Sequence, residues 1–187
     1  MKTVDALIVG GGPAGSAAAI ALARRGYEVA LIDKQIFPRE KLCGDFVNPI
    51  NRVIFRDLGV EQQILAQAHG TVIGFRITTG AGREAEVEFA DDEHRTEAGL
   101  GLRRAVLDHV LLQRVVALGA VVQQGRRVDE LCRTEGGWRV IVGEESWHAK
   151  IRIGADGRNS WVARQLGADH GAATTGRAVG FQCRLRI

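Results

Sequence analysis

Six residues near the N-terminus, Gly10-Gly11-Gly12-Pro13-Ala14-Gly15, carry the first chemistry legible in this sequence. They form the pattern GxGxxG directly after the apolar run Val4 to Val9 and directly before an Ala-rich stretch. In that setting Gly10 permits a tight turn, Gly12 lets a pyrophosphate approach the backbone, and Gly15 lets helix and strand pack closely. Pro13 and Ala14 open the helix, whose free N–H groups and partial positive charge face the phosphates. Asp33 follows the next apolar run and stands 18 residues past Gly15. A carboxylate there accepts ribose hydroxyls and repels a 2′-phosphate. These residues by themselves suit NAD and FAD equally.

The elements that must hold them read as a strand over 4–9, a helix over 14–25 closed by Gly26, and a strand over 27–32, which is a βαβ unit. Residues 34–47 read as an irregular loop with Pro38 and Gly44. Asn48 and Pro49 suit the N-cap and N1 positions of a helix reaching 58, and a second short helix covers 60–68. Strands are expected over 71–79 and 84–89, around Gly80-Ala81-Gly82, and a polar loop over 90–97. Val106, Leu107, Val110, Leu111, Val115 and Leu118 make one apolar stripe, so residues 104–118 form a helix. Strands over 120–123, 126–133, 138–142 and 146–153 follow, with a hairpin turn at Gly136-Gly137. Ser160 caps a short helix to 166, and 178–187 reads as a closing strand.

The 187 residues allow one domain and part of another. The 24 glycines have no G-X-Y period and come with only three prolines, which excludes collagen and Pro/Gly-rich disorder. A net charge of +3 without interleaved aromatics argues against a nucleic-acid partner. Cys43, Cys132 and Cys183 are far apart and odd in number, so a reducing, cytoplasmic setting is expected. The five histidines form no metal-ligand spacing, and no metal is expected. No apolar stretch is long enough for a membrane span, although peripheral membrane contact stays open.

The start from Asp5 through Gly15 and Asp33 resembles FAD-dependent oxidoreductases with the para-hydroxybenzoate hydroxylase type of fold. Phe37-Pro38-Arg39-Glu40-Lys41-Leu42-Cys43-Gly44 resembles the PxxxxCG stretch of the geranylgeranyl reductase branch of that superfamily. Arg104-Ala105-Val106-Leu107-Asp108 is similar to its Arg-x-x-(Leu/Phe)-Asp helix start, and Gly154-Ala155-Asp156-Gly157-Arg158-Asn159-Ser160 to its central Asp-Gly motif. The four landmarks come in the expected order.

The resemblance implies an α/β, Rossmann-like FAD/NAD(P)-binding domain over 1–70 and 99–170, and the start of a β-rich substrate domain over 71–98 and 176–187. It places Arg104 at the ribityl or phosphate side of the flavin, with Arg103 the alternative by register; a plain i,i+4 surface pair with Asp108 competes with that role. Asp156 and Gly157 are expected near the pyrophosphate, and Cys43 and Gly44 near the isoalloxazine, where Cys43 either tunes the flavin or only packs. Lys34 and Val128 are counted with the cofactor-binding residues. Arg39 and Lys41 are charges for a phosphate-bearing substrate or nicotinamide cofactor, or else members of a solvated loop. The implied reaction is reduction of an isoprenoid or other apolar C=C by NAD(P)H-reduced FAD. A flavin-dependent monooxygenase shares the same motifs, and a non-catalytic nucleotide-binding fragment is a third reading. No second Gly-Asp motif follows Gly157, so the chain is expected to encode the adenosine and pyrophosphate half of the site and not the catalytic half.

Overall fold

The computed structural model describes residues 1–89 and 98–168. The expected loop at 90–97 and closing strand at 178–187 lie outside the described residues. The chain begins with β1 (Lys2–Val9), α1 (Pro13–Ala23) and β2 (Val29–Asp33). Ala-rich α1 is a strong helix former and ends before Gly26, whose φ of +82° suits glycine. Later come α4 (Arg104–Ala117), β8 (Val121–Gln124), the meander β9 (Glu130–Thr134), β10 (Gly137–Val142) and β11 (Glu145–Gly154), and α5 (Trp161–Gln165).

These strands form one six-stranded sheet in the order β8-β2-β1-β11-β10-β9. β8, β2, β1 and β11 run parallel, and β10 and β9 add to them antiparallel. Strands buried on both faces need apolar residues at every position. β1 shows why: Leu7 and Ile8 are both fully buried but belong to different cores. Ile8 packs with Ile20 of α1 and Leu111 and Val115 of α4. Leu7 packs on the opposite face with Val128, Val140, Trp147 and Val162. Each such fully buried Leu or Ile contributes about 2 kcal/mol by leaving water. Together these features are an α/β fold with a Rossmann-like parallel sheet, as the sequence indicates.

The middle of the chain departs from the sequence reading in several places. Helix α2 (Asn51–Leu58) starts two residues later than expected. Asn48 is not its cap: its carbonyl accepts the Asn51 N–H at 3.0 Å and its side chain the Ile50 N–H at 3.1 Å, which makes a turn ahead of the helix. Helix α3 (Glu61–Leu65) is shorter than 60–68. The expected strand over 71–79 breaks at Ile73 into β4 (Gly70–Val72) and β5 (Gly74–Thr78), which belong to different sheets. β5 pairs with β6 (Glu84–Glu88). β4 pairs with β7 (Gly99–Gly101), whose other edge pairs with β3 (Phe46–Val47). The two-residue β3 and the Gly-flanked β7 carry no local strand pattern; only their partners define them. Phe46 joins this small sheet to the hairpin through ring contacts with Phe75 at 5.3 Å and Phe89 at 5.9 Å. Residues 126–129, expected to start a strand, are irregular because the Arg126 N–H turns back to the Asp33 carbonyl at 3.0 Å. Among the described residues no helix is long and apolar enough to cross a membrane.

Candidate functional site

The C-terminal ends of β1 and β11 lie side by side, with Val9 opposite Gly154 and the Ala155 N–H donating to the Val9 carbonyl at 2.8 Å. That brings the two glycine-bearing turns together, and their glycines answer different demands. Gly10 has φ +108°, and a Cβ there would run into the Ala155 carbonyl. A Cβ on Gly15 would overlap the Gly10 carbonyl. Gly12 is under no such constraint: its φ is −71°, and among the described residues the only neighbour a Cβ would meet within 4 Å is Arg39 Nη2, at 3.7 Å. Gly10 and Gly15 therefore shape the turn, and Gly12 leaves open the space in front of α1. Pro13 occupies the first turn of α1 and no side chain among the described residues caps it, so the positive end of the helix faces that space. Ala14 is exposed there.

Asp33, only 9% exposed, ends β2 beside the turn. Its Oδ2 accepts the Gly11 N–H at 2.6 Å and its Oδ1 the Gln35 N–H at 2.8 Å. The carboxylate thus fixes the glycine turn, and its remaining lone pairs are free to accept ribose hydroxyls. Asp33→Ala removes a buried, charge-assisted hydrogen bond and is expected to cost about 2 kcal/mol of stability. If Asp33 also holds the ribose of FAD, as the sequence resemblance implies, FAD affinity should fall about 10-fold at the same time. A urea melt and a flavin fluorescence titration measure the two losses. Lys34 is exposed beside Asp33. Val128 is 3% exposed with its side chain in the second core, so its main chain is the part able to face a cofactor.

A second set of groups gathers where the 34–45 loop meets α4. Arg104, the first residue of α4, forks both oxygens of Asp108, Nε to Oδ1 and Nη2 to Oδ2, each at 2.9 Å. This pair raises the affinity of the Arg104 guanidinium for its proton. Asp108 is no surface partner, being 0% exposed. Arg39 joins it from the loop, Nη1 lying 3.0 Å from Asp108 Oδ2, and its guanidinium stacks over the Phe37 ring at 4.8 Å. Arg39 is thus a half-buried arm above Gly12 rather than part of a solvated loop. Sequence reading left that choice open, and the burial of Asp108 escaped it, because the i,i+4 spacing says who pairs but not what covers the pair. Arg103 is exposed and sits one position before the helix.

Cys43 is half-buried within interaction range of Arg104, and Gly44 is exposed with open space where a Cβ would stand. Asp45 follows at φ +54°, its carbonyl accepting the Leu102 N–H at 2.8 Å and its side chain the Arg104 N–H at 3.3 Å. The loop is thereby tied to the start of α4. Asp156 does not point a free carboxylate at the cradle. Its Oδ2 accepts the Trp161 and Val162 N–H groups at 2.7 and 3.1 Å, and its Oδ1 accepts the Ser160 hydroxyl. Ser160 in turn accepts the Ala163 N–H at 2.9 Å, so the two residues cap α5 together. Gly157, at φ +91°, is the turn that makes this possible.

A family model described as "FAD binding domain" matches residues 3–183. The chain is 31% identical over 181 residues to conditioned medium factor receptor 1 of Dictyostelium discoideum, covering 89% of this chain and 36% of that one. It is 32% identical over 176 residues to digeranylgeranylglycerophospholipid reductase of Methanosarcina acetivorans, covering 90% and 42%. It is 28% identical over 186 residues to the 1H-pyrrole-2-carbonyl-[peptidyl-carrier protein] chlorinase of Pseudomonas fluorescens, covering 87% and 41%. Among solved structures, a flavoprotein/dehydrogenase from Cytophaga hutchinsonii superposes with a TM-score of 0.80 at 23% identity, over 89% of this chain and 42% of that one. The chain spans less than half the length of each of these relatives. With a family model matched over residues 3–183, nearly its whole length, the chain belongs to the FAD binding domain family of flavoproteins.

Proposed function

We propose that this chain forms the adenosine- and diphosphate-binding half of an FAD site in an oxidoreductase that reduces an isoprenoid or other apolar C=C bond with electrons from NAD(P)H. The observation that carries the cofactor reading is the cradle itself. Gly10 and Gly15 cannot bear a side chain, Gly12 stands open, and Arg39 overhangs it. Those residues fit a dinucleotide diphosphate. Gly12 and the first turn of α1 would hold the phosphates, Asp33 the ribose, and the main chain near Val128 the adenine side. Bound FAD supplies the hydride-transfer chemistry, and the protein binds and orients it.

The reductive branch of the reading is supported by the Pro38–Gly44 stretch and by the similarity to a reductase of a geranylgeranyl lipid. An apolar substrate also suits the β5–β6 hairpin. Phe75 and Val87, directly opposite each other, and Ile77 share one face and stand 47%, 55% and 60% exposed. Cytoplasmic location and peripheral contact with a membrane go with such a substrate.

Gel filtration of the chain after FAD addition tests the cofactor reading: flavin absorbance should travel with the protein. Flavin eluting only at its free volume overturns it. The reaction is tested by supplying FAD, NAD(P)H and an isoprenoid acceptor together. NAD(P)H oxidation that needs an isoprenoid acceptor and proceeds without oxygen supports reduction. Turnover that stops without oxygen supports the monooxygenase alternative.

A further inference from the structure

The buried Asp108 is surrounded by more positive charge than it can neutralise. Two guanidiniums converge on one carboxylate, Arg104 in a fork at 2.9 Å and Arg39 at 3.0 Å, and the trio keeps a net charge of +1. Both arginine side chains are largely buried, at 16% and 20% exposure, so water screens the surplus charge weakly. Arg39 Nη1 is fully buried and makes no well-aligned hydrogen bond among the described residues, where Asp108 holds it by charge rather than by a directed bond. The other terminal nitrogen, Nη2, is the atom closest to where a Gly12 side chain would begin. Arg39 arises from an irregular loop, and among the described residues Asp108 and the Phe37 ring orient its guanidinium. A long arginine freed from such an anchor loses its single geometry to rotamer entropy.

We propose that Asp108 is the positioning residue of the diphosphate site: from within α4 it aims the Arg39 guanidinium over Gly12 and so sets the preference of the site for a diphosphate over an uncharged nucleoside. The proposal rests on the FAD reading above and adds a residue that would touch no ligand. A carboxylate placed so near an anion site weakens it by repulsion. Here the repulsion is outweighed, because the same carboxylate is spent on two cations and leaves a directed positive charge facing the cradle.

The test compares the affinities of the chain for ADP and for adenosine by calorimetry, in the parent and in Asp108→Asn. The isosteric amide keeps volume and removes the charge. ADP affinity is expected to fall by at least about 10-fold, with adenosine affinity unchanged. Adding Arg39→Gln to Asp108→Asn should then cost little more, because Arg39 has already lost its aim. A general structural role for Asp108 would lower both affinities together, and that result overturns the proposal, as does an unchanged ratio. Should Asp108→Asn fail to fold, Asp108→Glu keeps the charge but displaces it by one methylene, and a ratio equal to the parent's overturns the proposal equally. A parent chain that binds ADP no better than adenosine refutes the diphosphate reading itself, before Asp108 is questioned.

Discussion

Gly12→Val is expected to yield a folded protein that has lost FAD. The backbone at Gly12, φ −71° and ψ −176°, is extended and open to any residue. The nearest atom to a new Cβ is the end of a flexible arginine, 3.7 Å away. Valine is a poor N-cap, so stability should drop by no more than about 1 kcal/mol. Its two methyl groups would stand between the Gly12 main chain and Arg39, where the proposed diphosphate would lie. We expect FAD affinity to fall by at least about 100-fold, equivalent to roughly 3 kcal/mol. Thermal melting and flavin fluorescence quenching, run side by side, check the two halves of this expectation. A valine variant that binds FAD as tightly as the parent would show that the diphosphate does not cross Gly12.

Gly15→Ala, a smaller change three residues on, should do the opposite: damage the fold first. Its methyl group would overlap the Gly10 carbonyl oxygen, which is backbone and cannot swing away. Gly10 cannot yield either, because it is held at φ +108° with the Ala155 carbonyl behind it. The strain must therefore pass into the ends of β1 and β11 together. Overpacking of this kind costs about 3 kcal/mol. For a chain of this size that is roughly 10 °C in Tm. Differential scanning calorimetry reads this directly, and the loss should appear in the absence of any ligand. A Tm within about 2 °C of the parent would mean that the turn tolerates a side chain and that Gly15 is not there for close packing. The two substitutions separate a glycine kept for the ligand from one kept for the fold, a distinction the GxGxxG pattern does not make.

Asp33, Arg104 and Asp156 show how far local pattern reaches. Asp33 is placed by the end of a strand, and the strand is legible because a βαβ unit repeats a fixed order of apolar run, turn and helix. Its hydrogen bond to the Gly11 N–H was not legible, since it depends on β1 and β2 lying in register. Arg104 and Asp108 are an i,i+4 pair in any helix. Only the packing of the 34–45 loop over α4 buries the aspartate and brings Arg39 to it. Asp156 sits in a motif expected near the pyrophosphate, and its carboxylate turns out to cap α5. The motif's spacing records where the chain turns, not which way the side chain faces.

From sequence alone follow the parallel-sheet fold, the glycine cradle, the acidic residue at the end of the second strand, and the helix that begins at Arg104. All of these are legible because the apolar runs, the glycine spacing and the helical stripe that mark them are written locally in the chain. The tertiary structure decided the rest. It split the strand expected over 71–79, created β3 and β7 from residues with no strand pattern, and raised Arg39 from a loop charge to an arm over Gly12. Those outcomes depend on partners far along the chain, through hydrogen bonds to a neighbouring edge or charge pairing in a buried space. Such long-range contacts override local preference without leaving a local trace.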